Sequence, residues 1–507
     1  MGRLALNPFL YDKPVPTGRF FGRQDQVRTL FSRLYNGEST AIVGEPHIGK
    51  TSLLNYIADE DTRREWIAQA FARHVFIDFD CHLMPADFQA SDFWQQIVGR
   101  IADAAPGEDV QRQCEVCAQN SFGSFTLERL FKLMAKREWR AVLLVDEFDT
   151  LLNHPNFNHA EFLGALRSLA TRTDGLVVIT ASRLSVARMN RLSLDNNPYG
   201  SPFFNNFIEV RLLPLSLAEA QQLIETTLHK AGGAVAFSTA DCEFLYALAG
   251  RQPFLLQIAA ASLYDALAQS PLAQSPLAQA SGDAREAHER AAQVFKQRAE
   301  AHFDDFWRSL EAGEQRALLM LSLAEHASRA AGHTDALREL GSQERYEMDL
   351  RRLSDLGIVE PRPAQTADVT AQYTICVGGL TSWLLDNVIG GARGADDFAD
   401  WLRTQQRAGM LTHEEVNTLA TVQQALAAPA EPAAAGVDLT RLRVNLVAHF
   451  DPADLEIFCA DMGIDYAGLA GEGKESKVFK LIAHCRQHAR VAELVERCRT
   501  ARPNVGW

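Results

Sequence analysis

The sequence has few cysteines, no long apolar run and no excess of basic residues, and each shortage excludes a class of protein. Its eight cysteines are scattered over 507 residues, which argues against a disulfide-stabilised secreted domain and fits a reducing compartment. There is no run of about 18 apolar residues that would predict a membrane span. The N-terminus lacks the apolar segment of a signal peptide. A cytoplasmic protein is expected.

Positive charge and sequence repeats are also scarce. The chain has 50 Lys and Arg against 64 Asp and Glu, a formal net charge of −14, so nucleic acid is not an expected partner. No repeat with a period of about 20–50 residues is found. Cys114 and Cys117 form a C-x-x-C pair without a second ligand pair nearby, which predicts thiols on a helix face rather than a zinc site.

The most informative stretch is an apolar strand pattern, a glycine-bounded loop and a helix start around residues 41–57. Residues 44–51 have the spacing G-x-x-x-x-G-K-T. Glycines let successive N–H groups turn around a phosphate, the lysine reaches the β- and γ-phosphates, and the threonine hydroxyl can ligate Mg²⁺. The spacing predicts a site for ATP or ADP with Mg²⁺. Its predicted binding residues are Gly44, Glu45, Pro46, His47, Ile48, Gly49, Lys50, Thr51 and Ser52, of which the His47 side chain is expected to pack or to be solvated.

Four further apolar runs, at residues 73–80, 141–147, 176–183 and 208–213, predict strands that alternate with helices. This order is typical of an α/β fold with a mostly parallel sheet of five strands. Two acids end the most apolar run, where sheets of this kind bind ligands. Asp146 is predicted to hold Mg²⁺ through the waters of the ion, alongside the ligand Thr51. Glu147 is predicted to act as the base that orients the attacking water.

Polar residues also end the following strand, at residues 180–183. Arg183 is predicted to reach the γ-phosphate; the alternative is a surface arginine paired with a neighbouring acid. Thr180 is a candidate for positioning water. Asp149 is expected to be a helix-capping or loop acid rather than a catalytic one.

Two segments are candidates for the adenine side of the site. Phe21, Gly22 and Arg23 precede a helix and form either a docking arm or part of the nucleotide site. Pro253 offers a flat apolar face for the base, although proline also suits an ordinary helix start. Arg251 is an alternative second phosphate sensor.

Pattern changes along the chain predict six segments. One of them, with three predicted helices followed by a two-stranded hairpin, is predicted to be a winged-helix domain. Its third helix alternates acidic residues with arginines, which makes it poorly suited to binding DNA. The predicted segments are residues 1–37 (arm and adenine-side helix), 38–215 (P-loop core), 216–300 (helical lid, with a flexible insertion at 268–282), 301–392 (winged helix), 393–436 (connector and linker) and 437–507 (a helical bundle).

The motifs at residues 20–23, 44–51, 143–147, 180–183 and 250–253 together resemble the STAND class of AAA+-like P-loop signalling ATPases. The resemblance spans about residues 7–390. It implies an ATP/ADP switch with slow hydrolysis whose ATP form oligomerises. It also implies that Arg183 reads the γ-phosphate and that Pro253 touches adenine. Long sensor repeats, usual in that class, are missing, so a small surface of the core or another protein is the sensor.

The C-terminal residues 437–507 resemble the bacterial effector-associated domains, death-like bundles that pair with matching domains on effectors. The segment has 10 basic and 10 acidic residues, a balance that suits charge-complementary protein pairing. Its Gly-Glu-Gly-Lys loop at 471–474 lacks a leading strand and the full spacing, so it is not predicted to bind nucleotide.

The sequence therefore predicts a cytoplasmic ATPase that forms a homo-oligomer on activation. The tail would then recruit an effector, a protease or nuclease, in bacterial defence signalling. Two alternatives remain. One is a DNA-binding initiator- or loader-type ATPase that uses the winged helix. The other is a scaffold locked on ADP.

Overall fold

The structure is a computed structural model with two compact units, residues 1–412 and 413–507, each described by itself. It describes residues 6–67, 72–104, 107–196, 205, 207–230, 235–269, 281–331, 346–362, 372–389, 403, 404, 406, 407, 409, 412, 413, 416, 417, 439–462, 464, 466, 474–487 and 490–502.

A five-stranded parallel sheet forms the centre of the first unit. Its strands are β1 (Thr40–Val43), β2 (His74–Asp80), β3 (Arg140–Asp146), β4 (Leu176–Ser182) and β5 (Ile208–Arg211). Their spatial order is β2-β3-β4-β1-β5, and every neighbouring pair is parallel. The predicted five-stranded α/β fold is confirmed. This order brings the carboxyl ends of β1, β3 and β4 together at one edge, where the candidate site lies.

Helices cover both faces of this sheet. Alternate residues of β3 and β4 serve two separate cores, because successive side chains of a strand point to opposite faces. The helices are α1 (Gln24–Asn36), α2 (Lys50–Ala58), α3 (Glu60–Ile67), α4 (Ala90–Ala104), α5 (Glu108–Gln119), α6 (Ser124–Lys136), α7 (Asp149–Asn153), α8 (Ala160–Arg172) and α9 (Val186–Asn196). Leu143 and Val178 belong to the core under α4, α5, α6 and α8, whereas Leu144 and Ile179 belong to the core under α1 and α2.

Among the described residues after β5 in the first unit, the elements are helices and one hairpin. They are α10 (Leu217–Lys230), α11 (Thr239–Ala249), α12 (Pro253–Ala268), α13 (Ser281–Ser309), α14 (Ala312–Ala331), α15 (Glu347–Asp355), the antiparallel strands β6 (Val359–Arg362) and β7 (Gln372–Ile375), α16 (Gly378–Trp383) and a π-helical turn (Leu384–Ile389). The predicted hairpin is therefore present. Of the three helices predicted before the hairpin, the middle one falls near residues 337–340, which lie outside the described residues.

The helix α13 crosses the boundary predicted between the lid and the winged helix at residues 300 and 301. No proline or glycine interrupts residues 283–309, so nothing in the chain stops the helix there. The lid and the following segment thus share one continuous 29-residue helix. The other domain boundaries stay predictions.

In the described part of the second unit, four helices enclose a core of their own. They are α17 (Leu439–His449), α18 (Pro452–Asp461), α19 (Lys474–Gln487) and α20 (Val491–Ala501). Leu446, Leu455, Leu481 and Leu494, one from each helix, are completely buried. Among the residues that the structure describes in either unit, no helix is long and apolar enough to cross a membrane.

Candidate functional site

The phosphate loop joins β1 to α2 with close packing at its first glycine. A Cβ atom at Gly44 would lie 2.8 Å from Cγ2 of Ile48 and 2.9 Å from the carbonyl oxygen of Leu212. At the other end of the loop, Gly49 precedes α2 with φ of 103°, a left-handed conformation that favours glycine. A larger residue would therefore clash with its neighbours at Gly44 and would be strained by the backbone conformation at Gly49.

Lys50 opens α2 and is buried, with 4% of its surface exposed. Its Nζ donates hydrogen bonds to the carbonyl oxygens of Gly44 (3.0 Å) and Glu45 (3.1 Å). Burial lowers the pKa of Lys50, while the carboxylates of Glu147 and Glu45 counteract that shift. A cation in such a partly dehydrated loop attracts phosphate oxygens more strongly than one in bulk water.

Glu45 is an unusual acid for a phosphate site. Burial raises its pKa to about 7, and Lys50 and Arg183 oppose that shift. Glu314, at the start of α14, adds to the increase. The first turn of α14 therefore lies close enough to the phosphate loop to act on its electrostatics.

The end of β3 provides the second half of the site. Thr51 Oγ1 donates a 2.6 Å hydrogen bond to Oδ2 of Asp146. The next residue, Glu147, has φ of 49°, a conformation that non-glycine residues rarely adopt. Its pKa is raised, mainly by burial, with Lys50 opposing and Asp149 adding to the shift. Glu147 thus combines backbone strain with a perturbed carboxyl, a combination often found at functional sites.

Arg183 follows β4 and is paired with an acid. Its Nε donates a 3.0 Å hydrogen bond to Oδ2 of Asp149. Asp149 does not cap α7, because the N-cap residue is Phe148 and no side chain caps that helix. Asp149 was expected to be a helix-capping or a loop acid; the capping role is not observed, and Asp149 is the first residue of α7. The salt bridge expected only as an alternative for Arg183 is present, yet Arg183 also lines the cleft.

Thr180 lies inside β4, opposite Ala41 of β1 and Val145 of β3. It is fully buried, and its hydroxyl has no hydrogen-bond partner among the described residues. Thr180 is also missing from the described residues that line the cleft. The structure therefore does not bring Thr180 to the cleft with the other predicted residues.

The turn before α1 contributes two of the predicted adenine-side residues. Gly22 and Arg23 have φ of 72° and 63°, and the N–H of Arg23 donates to Oε1 of Glu219 on α10 at 2.7 Å. Burial lowers the pKa of Arg23 to about 10, and Glu219 partly offsets this shift. Phe21 lies beside them, with its ring centroid 5.1 Å from Nζ of Lys230.

Pro253 is the first residue of α12, as expected of an ordinary helix start, and it also lines the cleft. The following Phe254 stacks on the ring of His47 at a centroid distance of 4.4 Å. His302 of α13 meets the same His47 ring edge-on at 5.2 Å. His47 is therefore packed, one of the two outcomes expected for it, and it links the phosphate loop to α13.

These elements enclose one cleft of about 1750 Å³. The predicted residues that line it are Phe21, Arg23, Pro46, His47, Ile48, Gly49, Lys50, Thr51, Ser52, Glu147, Arg183 and Pro253. Gly22, Gly44, Glu45 and Asp146 adjoin that set in the chain. Arg251 is not among the described lining residues, because its guanidinium binds Glu360 of β6 and the carbonyl oxygen of Leu215.

Sequence reasoning missed two walls of the cleft. Residues 6–15 of the arm form one wall, and the N–H of Val15 donates to Oγ of Ser52 at 3.2 Å. The other wall is one face of α13, which carries Arg298, His302 and Asp305. Their spacing of four and three residues is a helical signal that could have identified this face. The arm has no such periodicity.

A glycine-bounded loop with a buried lysine, and a threonine bonded to the acid of another strand, define the P-loop class of NTPases. Residues 37–309 match the family model described as Novel STAND NTPase 2, and residues 440–503 match Effector-associated domain 7. Because the first match spans more than half of the sequence, the chain belongs to the Novel STAND NTPase 2 family. It is a signalling-type NTPase that carries an effector-associated domain.

The chain is also similar to solved structures of low sequence identity. One is a Walker-type ATPase of Pyrococcus abyssi, with 15% identity and a TM-score of 0.43, covering 72% of this chain and 96% of that chain. Another is the ORC2 protein of Aeropyrum pernix, with 15% identity and a TM-score of 0.44, covering 75% and 97%. TM-scores this low carry no argument about function. Among curated proteins, no match was found.

Proposed function

We propose that the chain is an ATP/ADP-switched signalling ATPase whose ATP form assembles into a homo-oligomer and recruits an effector through residues 437–507. One observation carries the proposal: a single chain contains both a STAND NTPase region and an effector-associated domain. The nucleotide then acts as a signal, and slow hydrolysis resets the switch. Bacterial defence is the proposed setting.

The proposed cofactors are ATP, ADP and Mg²⁺, and the residues of the cleft fit them. Lys50 would hold the β- and γ-phosphates. Thr51 and Asp146, already 2.6 Å apart, are the hard oxygen ligands that Mg²⁺ prefers. The metal would neutralise phosphate charge during transfer. Phe21, Arg23 and Pro253 would form the base side, as the family resemblance implies.

Two residues are proposed to act on the γ-phosphate, and Thr180 to act from outside the cleft. Glu147 orients the attacking water, and its raised pKa suits a proton acceptor. Arg183 contacts the γ-phosphate and so distinguishes ATP from ADP. Thr180 takes a supporting role: its buried hydroxyl has hydrogen-bonding capacity that no described residue uses, and a water is the partner that we propose for it.

The switch is proposed to act on the contacts that the core and the lid make with the segment of α14, α15 and the β6–β7 hairpin, which we interpret as a winged helix. Arg251 pairs with Glu360 of the hairpin, and Arg211 of β5 pairs with Asp355 of α15 at 3.3 Å. Both pairs are partly exposed, so each contributes little free energy. We propose that a small free-energy difference between the ATP and ADP forms therefore suffices to break them.

The tail is proposed to be a death-like bundle that recruits a protease or nuclease with a matching domain. Assembly would bring several tails together and raise their effective concentration, so a weak contact between single tails suffices. Two full-length chains test this step: one intact and one lacking residues 437–507. Only the intact chain should retain an effector that carries the matching domain, and only when ATP is bound.

The nucleotide content of the purified chain tests the switch itself. Denaturation should release ADP, and exchange into ATP should increase the mass of the particle. Lys50→Ala is the matched control, because it removes the phosphate ligand and should neither retain ADP nor assemble. If the chain releases no nucleotide and its mass is the same with ATP and ADP, the proposal fails.

The same purified chain distinguishes this proposal from the two alternative functions. A DNA-binding loader would bind duplex tightly and lose affinity steeply with salt. Against it, the arginines of α15 are occupied by acids: Arg351 pairs with Glu347, and Arg352 with Glu311 at 3.1 Å. A scaffold locked on ADP would retain ADP after exchange into excess ATP.

A further inference from the structure

Asp149 and Arg183 form an asymmetric ion pair at the edge of the cleft. The Asp149 side chain is 6% exposed and the Arg183 side chain 50%. The contact uses Nε of the guanidinium, and the described residues provide no hydrogen-bond partner for its two terminal nitrogens. The pair therefore fixes the base of the guanidinium while its outer edge lines the cleft.

Burying Asp149 at this point is costly. Asp146 and Glu147 precede it closely, and its charge adds to the increase in the pKa of Glu147. Its second oxygen, Oδ1, is buried and has no hydrogen-bond partner among the described residues. An acid that neither caps α7 nor has both oxygens satisfied is a poor choice for stability alone.

The ion pair offsets the cost of burying Asp149 by ordering the side chain of Arg183. A free arginine side chain loses rotamer entropy when it binds a ligand. A guanidinium already held through Nε has lost part of that entropy before the phosphate arrives. Its two terminal N–H groups keep the fork geometry that binds phosphate oxygens.

We propose that Asp149 is a positioning residue that holds Arg183 ready for the γ-phosphate and so determines the preference for ATP over ADP. This inference rests on the sensor role of Arg183 in the proposed function. ADP has no group at that position. Loss of the pair should therefore weaken the binding of ATP and leave that of ADP nearly unchanged.

The test compares the dissociation constants of ATP and ADP for the full chain with Mg²⁺. Asp149→Ala should reduce the preference for ATP by about tenfold, which corresponds to a charge-assisted hydrogen bond. ADP affinity should stay within about twofold. Asp149→Asn keeps an acceptor oxygen and should restore part of the preference. Asp149→Leu, close in size and without an acceptor, takes the place of the alanine variant if that one does not fold.

Arg183→Ala makes the result decisive. The double variant with Asp149→Ala should show the same preference as Arg183→Ala alone, because a positioning residue has no effect without the group it positions. If the two losses add, or if Asp149→Ala weakens ATP and ADP equally, Asp149 is merely structural and the inference is overturned. If Arg183→Ala leaves the preference intact, the sensor role in the proposed function fails as well.

Discussion

Thr51 and Asp146, 95 positions apart in the chain, are joined by a 2.6 Å hydrogen bond between a hydroxyl and a carboxylate. The bond connects the first turn of α2 to the end of β3. Because the two oxygens are already close together, these two side chains would need little rearrangement to hold a Mg²⁺ ion. The contact thus joins the two motifs on which the candidate site depends.

Asp146→Asn should remove the dependence of nucleotide binding on Mg²⁺. The amide oxygen still accepts the hydrogen bond from Thr51, but it lacks the charge that attracts a divalent cation. We expect ATP affinity in Mg²⁺ to fall about tenfold or more, to the value measured in EDTA. Titration of ATP with and without Mg²⁺ measures this change.

Asp103→Asn, an exposed acid in the last turn of α4, is the control and should retain the full effect of Mg²⁺. An Asp146→Asn chain that still binds ATP more tightly with Mg²⁺ would show that Asp146 is not a ligand.

Gly357 of the hairpin segment packs closely against Pro214 of the core. A Cβ atom there would lie 2.2 Å from Cδ of Pro214, at a φ of 74°. Gly357→Ala should lower the free energy of unfolding by about 1–3 kcal/mol, through strain at positive φ and through crowding. It should also speed ADP release, which stopped-flow fluorescence measures.

Gly409→Ala separates the two causes, because Gly409 has φ of 72° and no atom of the described residues lies within 4 Å of its Cβ position. It carries the strain without the crowding. Equal losses in the two variants would mean that the contact with Pro214 contributes nothing.

His302 should make the chain sensitive to acid. Burial and the neighbouring His47 lower its pKa to about 4. A histidine whose pKa is lower in the folded chain takes up a proton on unfolding. Its contribution to stability is therefore complete above about pH 6.5 and is lost as the pH falls towards 4. His302→Gln should reduce the drop in melting temperature between about pH 7 and pH 5.

His74, whose pKa is also lowered to about 4, mainly by burial, should leave some acid sensitivity in that variant. The exposed His229 provides the matched control, and His229→Gln should not alter the slope. If His302→Gln melts with the same pH dependence as the unmodified chain, the burial of His302 has no thermodynamic effect.

The sequence predicted the sheet because its strands are continuous apolar runs, such as residues 141–145, which suit only a strand covered on both faces. It predicted the phosphate loop because that chemistry needs a fixed local spacing. The Asp149–Arg183 pair could not be predicted in the same way: it joins two strand ends whose separation depends on the order of β3 and β4 in the sheet.

At two places the structure differs from what the local pattern suggested. Thr180 was a candidate because it stands near the end of an apolar run, but its neighbours in β1 and β3 cover it completely. The helix α13 was divided in the prediction because composition changes near residue 300. Composition does not end a helix that lacks a proline, a glycine or a cap.

The central claim is that the γ-phosphate controls assembly, and the mass of the Glu147→Gln chain tests it most directly. Without its base, the variant should hydrolyse ATP about a hundredfold or more slowly and remain in the ATP form. We predict that mass photometry will find an oligomer with ATP and only the unassembled chain with ADP. The same mass distribution with both nucleotides, in a variant that binds both, would contradict the account.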